Sequence, residues 1–252
     1  MEVKLIDYTG NGTPDPARHA ANVLVFTKGT RLNMHPGMFE EICTWSWDKI
    51  EQELSYMAKT IPSSWEMVHY GFLINGVSRA MTHQLVWTRT GSYAQQTLRI
   101  LDVSGWDYLT GPTLLEDIDE HEGTIGESAT LYHDTMAKIA DAYDTLIENG
   151  IAIEDARGIL PTNILTNIYA DFNLRTITEL VRKRSSGRTQ GEYRDVLDAM
   201  KAEVIRVHPW AEMFIIRDFD RAAMELEIAI RRIASGQEAI DMIKLIDEMR
   251  KG

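Results

Sequence analysis

Cysteine is almost absent from this chain: its 252 residues include one, Cys43. A single cysteine excludes a disulfide within the chain and a zinc site built on paired cysteines, and it is typical of a reducing compartment. Cys43 lies among apolar and aromatic residues, beside Ile42 and close to Trp45. We therefore expect a buried structural thiol, and not a nucleophile, in a cytoplasmic protein.

Long apolar runs are absent as well. No stretch is long enough to span a bilayer, and the opening residues MEVKLIDYTGNG contain no signal-peptide core. The sequence therefore predicts a soluble intracellular protein that does not associate with a membrane.

Positive charge is also scarce, with 26 lysines and arginines against 38 aspartates and glutamates, a net charge of −12. This balance argues against binding to a nucleic-acid polymer, because such binding depends on surplus basic residues that neutralise phosphates. A locally basic pocket that binds a single nucleotide is compatible with this net charge.

Several common catalytic fingerprints do not occur. The chain has no Walker A loop, no Gly-x-Gly-x-x-Gly, no His-Glu-x-x-His and no Gly-x-Ser-x-Gly nucleophile elbow. We therefore predict no metal site, and a dinucleotide cofactor would be bound without a Rossmann fingerprint.

Helical and strand patterns alternate along the chain, without an internal repeat or a linker-like tract. This alternation predicts one α+β domain over residues 1–252. The predicted strands cover residues 3–8, 22–26, 69–75 and 166–172. The predicted helices cover 38–60, 78–89, 127–149, 174–184, 191–206, 218–233 and 238–251, with a short helix beginning at 153. Residues 92–99 are expected to start as a loop, and 101–125 to form a surface excursion.

Polar side chains are concentrated in residues 76–99, GVSRAMTHQLVWTRTGSYAQQTLR. Arginine offers planar, bidentate donors that suit phosphate, while glutamine and threonine add neutral donors and acceptors. The segment therefore predicts a site for a small anion with a polar ring. Taken alone, an amphipathic helix with a solvated face explains the pattern equally well, and His83 is better interpreted as a hydrogen-bonded structural histidine.

A second candidate anion site lies further along the chain. Residues 173–194 contain six basic and two acidic residues, a local surplus of positive charge in an acidic protein. An ordinary basic face that balances acidic neighbours is the alternative. The basic residues are Arg175, Arg182, Lys183, Arg184, Arg188 and Arg194.

Taken together, these segments resemble flavin-dependent thymidylate synthases. That family carries a pattern like GVSRAxxHQLVRHRxxSYxQxSxR, which corresponds here to GVSRAMTHQLVWTRTGSYAQQTLR. A downstream ARxxLP element corresponds to residues 156–161, an NxR element to 173–175, and an AQxE segment to 189–192. Their order and spacing hold over residues 60–195.

The resemblance implies an α+β fold with a central, mainly antiparallel sheet flanked by helices. It implies a methyltransferase that binds FAD and methylates C5 of dUMP, with methylenetetrahydrofolate as carbon donor and NADPH as reductant. Homotetramers with active sites between subunits are implied as well.

The resemblance also assigns candidate site residues. Arg184 matches the arginine that activates the pyrimidine by stabilising its ionised N3, and Gln95 matches a position that touches both ligands. The positions matched to substrate binding are Gln84, Gln95, Gln96, Thr97, Leu98, Arg99, Arg157 and Arg184. Those matched to flavin binding are Ser63, Trp87, Thr88, Arg89, Gln95, Asn173, Arg175 and Glu179.

The chain departs from the family at some of its most diagnostic positions. The family's Arg-His-Arg is Trp87-Thr88-Arg89 here, and its serine is Thr97. An upstream HxSPxEH element corresponds to residues 61–67, IPSSWEM, without either histidine. Trp87 is able to stack on a flavin or a base, and a repacked core is the alternative.

These departures leave three interpretations open. The first is methylation of dUMP. The second is a changed product or substrate, such as hydroxymethylation, or modification of another pyrimidine nucleotide such as dCMP. The third is an oligomer that binds a nucleotide or flavin without turnover.

Overall fold

The computed structural model describes residues 1–29, 34–119, 124–184, 189–216, 226, 229–230, 233 and 237–249. The strands are β1 (Glu2–Tyr8), β2 (His69–Ser78), β3 (Ser92–Gln95), β4 (Ile118–Asp119), β5 (Thr124–Ile125) and β6 (Leu165–Asn173). The first helices are α1 (Pro16–Gly29), α2 (Met38–Cys43), α3 (Trp47–Thr60), α4 (Arg79–Leu85) and α5 (Pro112–Leu115). The later ones are α6 (Glu127–Glu148), α7 (Ile153–Ala156), α8 (Leu174–Arg184), α9 (Gly191–Val207), α10 (Glu212–Ile215) and α11 (Gln237–Met249). Short 3₁₀ helices cover Pro62–Met67, Arg157–Ile159 and Pro209–Ala211.

Four strands form one sheet in the order β1-β2-β6-β3, and β4 pairs with β5 antiparallel. The predicted α+β class with a mainly antiparallel sheet is confirmed. The chain divides into two compact units, one of residues 1–2 and 73–170 and the other of residues 3–72 and 171–252. The organisation as one domain stays a prediction.

In the first unit, which we call the cleft unit, α6 packs against α5, α7 and the 3₁₀ helix Arg157–Ile159. Its buried side chains Ala129, Met136 and Tyr143 recur every seven residues, so they lie along one face of the helix. The Asp117 carboxylate accepts a hydrogen bond from the Ala129 amide at 2.9 Å and so caps this helix.

In the second unit, which we call the helical unit, α1 packs on α2, α3 and the 3₁₀ helix Pro62–Met67, which also contacts α8. Helix α8 packs in turn against α9 and α10. Trp65 is at the centre: its indole N–H donates to the Met57 carbonyl at 3.1 Å, and its ring meets Phe214 edge-on at 5.2 Å. These contacts pack α8, whose last turn is basic, against the surrounding helices of this unit.

Most predicted elements are confirmed, including β1, β6, α6, α8, α9 and α11. The strand predicted at 22–26 is wrong, because this segment belongs to α1. Asp15 accepts a hydrogen bond from the Arg18 amide at 2.9 Å and Pro16 follows it, which is a typical helix start. The buried residues Ala20, Ala21, Leu24 and Val25 then lie on one helical face.

Two predicted helices have different bounds. The helix predicted over 38–60 is interrupted, and Ser46 caps α3 by accepting from the Lys49 amide at 3.3 Å. Ser78 caps α4 as predicted, by accepting from the Met81 amide at 3.1 Å, but α4 ends at Leu85 and not near Arg89. The predicted helix over 218–233 falls largely outside the described residues.

Residues 92–95 form strand β3, where a loop was predicted. The sequence SYAQ has no apolar alternation, so the strand is defined by pairing with β6. The pairing continues beyond the strand, since the Gln96 amide donates to the Asn167 carbonyl at 3.0 Å.

The expectation of a buried Cys43 is wrong, because its side chain is exposed. On the short helix α2, Ile42 faces the core, and the next residue lies about 100° further round the helix. The Cys43 sulfur accepts a hydrogen bond from the Asn22 amide nitrogen at 3.4 Å.

Among the described residues, no helix is both long enough and apolar enough to cross a membrane.

A buried histidine links the stability of the helical unit to pH. The Nδ1 atom of His208 lies 2.8 Å from the Tyr70 hydroxyl, and its ring stacks on Trp210 at 5.3 Å. Burial lowers the pKa of His208 from 6.5 to about 4, despite the opposing effect of hydrogen bonds to backbone carbonyls of Thr9 and Pro16. The imidazole is therefore neutral in the folded chain under conditions that protonate it in the unfolded chain.

We expect acidification to destabilise the protein through His208. Stability linked to this group is complete above pH 6.5 and is lost as the pH falls towards 4. The loss at pH 5 is about 2 kcal/mol, measured by urea unfolding at pH 7 and pH 5. The His208→Gln variant, which keeps a polar partner for Tyr70, should lose about 2 kcal/mol less over this interval. An equal loss in both proteins would contradict the assignment.

Candidate functional site

Helix α4 is fixed at its first residues to the segment that leads into β6. The Arg79 amide donates to the Ile164 carbonyl at 3.1 Å, and the Ala80 amide donates to the Thr162 carbonyl at 2.8 Å. With Ser78 as the cap, these bonds determine the direction in which the first turn of α4 presents its side chains.

A cleft of about 440 Å³ opens beside this turn in the cleft unit. Its wall comes from α4, from the segment after β3, and from the turn between α7 and β6. The lining residues are Arg79, His83, Leu98, Glu154, Arg157, Gly158, Leu160, Pro161, Thr162 and Ile164. Arg157 and Leu98 were predicted as substrate-binding residues. His83, interpreted from sequence as a structural histidine, is exposed and lines this cleft.

Two guanidinium groups face this cleft, against one carboxylate, that of Glu154. Burial, and then repulsion by Arg157, lower the pKa of Arg79. Arg79 donates to the Gln96 carbonyl at 2.6 Å, while its buried Nε finds no acceptor among the described residues. Arg157 donates from Nε to the Glu154 carbonyl at 3.2 Å. An anion in this cleft would relieve the repulsion between the two cations.

The segment from Gln95 to Arg99 contains most of the predicted substrate contacts. Gln95 donates to the Thr82 hydroxyl at 2.8 Å, and the Thr97 hydroxyl accepts from the Arg99 amide at 3.1 Å. Arg99 is exposed, and Gln84 on α4 is half-buried. The cleft unit therefore contains Gln84, Gln95, Gln96, Thr97, Leu98, Arg99 and Arg157, and their binding roles stay predictions.

Asn167 makes hydrogen bonds near the cleft that the sequence did not predict. Its side-chain oxygen accepts from the Gly76 amide at 3.0 Å, and its amide nitrogen donates to Gln96 Oε1 at 3.2 Å. The side chain thus connects β2, β6 and the residue after β3. Asparagine is uncommon inside strands, so its presence in the run TNIYADFN was the available signal. Arg79 lies in the polar segment 76–99, but the sequence alone assigns it no role.

The three residues at the altered family signature follow α4. Trp87 is 71% exposed, which contradicts the alternative of a repacked core. The Thr88 carbonyl accepts from the Tyr93 hydroxyl at 2.7 Å, so this turn is held against β3. Arg89 is exposed. The turn therefore presents an aromatic face and a guanidinium to solvent.

The remaining predicted flavin contacts lie in the helical unit, around the start of α8. Asn173 caps α8 by accepting from the Thr176 amide at 2.9 Å. Arg175 pairs with Glu66 at 2.7 Å and with Glu179 at 3.1 Å. The hydrogen bonds that Arg175 donates, first to Glu66 and then to Glu179, raise its pKa. Ser63 is exposed on the 3₁₀ helix Pro62–Met67.

Glu179 is held by two cations. Burial alone raises its pKa, but the hydrogen bonds from Lys183 and Arg175 outweigh that effect and lower it. The carboxylate is therefore ionised at neutral pH and fixes the Arg175 guanidinium from one side.

Arg184 lies at the end of α8 and lines a second cleft, of about 330 Å³, within the helical unit. Its guanidinium carbon lies 5.8 Å from the ring centre of the buried Tyr193, a cation–π distance. Three cations and two carboxylates line this cleft, and Lys201 pairs with Asp198 at 2.6 Å. The lining residues are Val181, Arg184, Arg194, Asp195, Leu197, Asp198 and Lys201. Arg188, part of the predicted basic cluster, lies outside the described residues.

The accessible residues fit the chemistry of a bound flavin. Trp87 offers an aromatic face, and the exposed guanidinium of Arg89 offers a partner for a diphosphate. Arg175 is oriented by its two carboxylate partners. In the part of the chain that the structure describes, no group of histidine, cysteine and carboxylate side chains is arranged to hold a metal ion.

Comparisons with known proteins agree with the sequence resemblance. The family model "Thymidylate synthase complementing protein" matches residues 4–210. The chain is 30% identical over 227 residues to a flavin-dependent thymidylate synthase of Clostridium tetani, covering 83% of this chain and 84% of that protein. It is 31% identical over 212 residues to that of Sulfurisphaera tokodaii, covering 83% and 75%.

A solved structure shares the fold. The UMP/dUMP methylase PolB from Streptomyces cacaoi, bound with 5-Br dUMP, superposes with a TM-score of 0.68 at 18% identity and covers 84% of this chain and 94% of that one. The family match, the sequence relatives and the shared α+β fold lead to one conclusion. This chain belongs to the flavin-dependent thymidylate synthase family, a family of methyltransferase enzymes.

Proposed function

We propose that this enzyme methylates C5 of dUMP to give dTMP, with FAD as cofactor, methylenetetrahydrofolate as carbon donor and NADPH as reductant. Family membership supports the reaction type, and the names of the relatives support the flavin. The dUMP analogue bound by the methylase of the same fold supports a pyrimidine nucleotide as substrate.

The paired guanidinium groups of Arg79 and Arg157 carry this proposal. They line one cleft, and the repulsion between them contributes to the lowered pKa of Arg79. A nucleotide phosphate is the natural ligand for two such groups, because each guanidinium can donate two parallel hydrogen bonds to phosphate oxygens. The hydroxyl of Thr97 and the guanidinium of Arg99 lie on the same segment as Leu98 of the cleft wall and add further donors.

Arg184 is the proposed catalytic residue. Negative charge develops at N3 and O2 when N3 loses its proton, and this ionised ring is what makes C5 nucleophilic. A fixed guanidinium at that edge stabilises this charge more strongly in the transition state than in the substrate. Tyr193, beneath the Arg184 guanidinium, limits the orientations that this side chain adopts.

The cofactor would be held by Ser63, Trp87, Thr88, Arg89, Gln95, Asn173, Arg175 and Glu179. When bound, FAD supplies the redox chemistry that passes the electrons of NADPH to the transferred carbon. The protein's part is to orient the ring systems and to balance their charge. No cysteine nucleophile is needed, which agrees with Cys43 lying in neither cleft.

We also propose a cytoplasmic homotetramer with active sites between subunits, as the family resemblance implies. The exposure of Trp87, Arg89 and Arg184 in the single chain supports this arrangement, because each is available to a ligand or a partner.

The exposed Trp87 favours a second candidate, which is a changed product or substrate. An aromatic face in place of a family arginine removes a charge-assisted hydrogen bond and offers stacking instead. The result would be a hydroxymethyl product or the use of another pyrimidine nucleotide such as dCMP.

A product assay separates these candidates. Purified protein is incubated with FAD, NADPH and methylenetetrahydrofolate, and dUMP and dCMP are offered separately before product masses are measured. We expect dUMP to gain a methyl group and dCMP to stay unchanged. A hydroxymethyl product, or turnover of dCMP alone, would contradict dTMP synthesis and support the second candidate. Bound FAD without turnover of either nucleotide would support a binding role.

The Arg184→Ala variant should abolish turnover while the protein remains folded, because the exposed guanidinium contributes charge and not core packing. The expected loss in kcat is at least about 100-fold, as for other preorganised electrostatic groups. Arg206→Ala is the matched control, since Arg206 is an exposed arginine of the same unit paired with Glu203 at 2.7 Å. Normal activity of the Arg184 variant, with circular dichroism confirming its fold, would rule out the assigned role.

The Trp87→Arg variant should change the affinity for FAD or dUMP while the melting temperature stays nearly constant, because the side chain is 71% exposed. Flavin fluorescence and nucleotide titration measure the two affinities. Leu131→Arg, also in the cleft unit and 67% exposed, controls for adding an arginine to the surface. A change in melting temperature alone would mean that Trp87 serves packing and not recognition.

A further inference from the structure

Thr82 is a fully buried residue of α4 that lies between two polar groups of the candidate site. Its hydroxyl is 3.1 Å from the Arg79 carbonyl, one helical turn earlier, and 2.8 Å from the Gln95 amide nitrogen. The three residues thus form one chain of hydrogen bonds within the cleft unit, from the first residue of α4 to the last residue of β3.

The direction of this chain follows from the donors available. A carbonyl oxygen only accepts, so the single hydrogen of the Thr82 hydroxyl points to Arg79. The hydroxyl oxygen can then only accept from Gln95, which must present its amide nitrogen. If Gln95 were turned over, its oxygen would face the hydroxyl oxygen without a hydrogen between them.

The orientation of the Gln95 side-chain carbonyl is therefore determined as well. Its carbonyl oxygen, Oε1, points away from Thr82 and makes no hydrogen bond within the described part of the chain. The next residue, Gln96, has its carbonyl bonded to Arg79 at the cleft wall, and Leu98 on the same segment lines the cleft. Gln95 does not itself line the cleft, but it carries a fixed acceptor immediately before the segment that reaches the cleft wall.

We infer that Thr82 is a positioning residue that fixes the Gln95 amide, so that Gln95 Oε1 accepts a hydrogen bond from an N–H or O–H group of the nucleotide. This inference rests on the proposed function and adds a selection rule to it. The site favours a ligand with a donor at this position and disfavours an acceptor there. In dUMP two groups have this chemistry, the imide N3–H of uracil and the 3′-hydroxyl of deoxyribose.

The Thr82→Val variant tests the inference, because valine has nearly the same shape but neither donates nor accepts. The Gln95 amide then loses its anchor, and dUMP affinity should fall about 3- to 10-fold, the effect of one hydrogen bond. Thr82→Ser restores the hydroxyl and should restore affinity. Thr166→Val is the matched control in the same unit, because the buried hydroxyl of Thr166 makes no hydrogen bond within the described residues.

A double-mutant cycle separates positioning from general damage to the fold. Dissociation constants for dUMP are measured by calorimetry with FAD bound, for the parent protein, Thr82→Val, Gln95→Ala and the double variant. If Thr82 acts through Gln95, its substitution has no further effect once Gln95 is alanine. Independent, additive losses would overturn the inference. Unchanged affinity in Thr82→Val, with the parent protein still binding dUMP, would overturn it and leave the proposed function intact.

Two analogues identify the donor on the nucleotide. The Thr82→Val penalty should disappear with N3-methyl-dUMP if the imide donates, and with the 3′-deoxy analogue if the sugar hydroxyl donates. A penalty that persists with both analogues would mean that Gln95 Oε1 faces neither group, which overturns the inference. Failure of the parent protein to bind dUMP would overturn the inference and the proposed function together.

Discussion

The hydrogen bonds of Arg79 join three segments of the cleft unit. Its amide and its guanidinium tie the start of α4 to Ile164 before β6 and to Gln96 after β3. Its carbonyl accepts from Thr82, which in turn orients Gln95. One residue thus connects the start of α4, the end of β3 and the wall of the cleft that Arg79 and Arg157 line. This position is unfavourable for the charged guanidinium of Arg79, because the group is partly buried and is repelled by Arg157. A bound anion would offset this unfavourable free energy.

The two units use charge in different ways. Among the residues that line the cleft, two guanidinium groups face one carboxylate, which leaves a local demand for an anion in a chain of net charge −12. In the helical unit, the positive charge of Arg175 is balanced by the carboxylates of Glu66 and Glu179. The same two ion pairs also fix the orientation of its guanidinium group. The overall acidity argues against a general affinity for polynucleotides and is compatible with recognition of one phosphate.

Much of the fold was predictable from periodicity and capping residues. The long helices α6 and α9 have repeating apolar positions, and strand β6 alternates between buried and half-exposed positions. Three errors have physical causes. The apolar run at 22–26 lies on a helix because Asp15 and Pro16 start one upstream. Strand β3 exists only through pairing with β6. Cys43 is exposed because its neighbour Ile42 occupies the buried face of a six-residue helix.

The sequence by itself determined the family and most of the candidate site residues, because the order and spacing of several motifs are visible along the chain. Only the tertiary structure decided how those residues are presented. Whether Trp87 is buried or exposed, and which edge of the Gln95 amide faces the site, depend on contacts between residues distant in sequence. The register of β3 on β6 and the direction of α4 set those contacts, and neither can be read from local propensity.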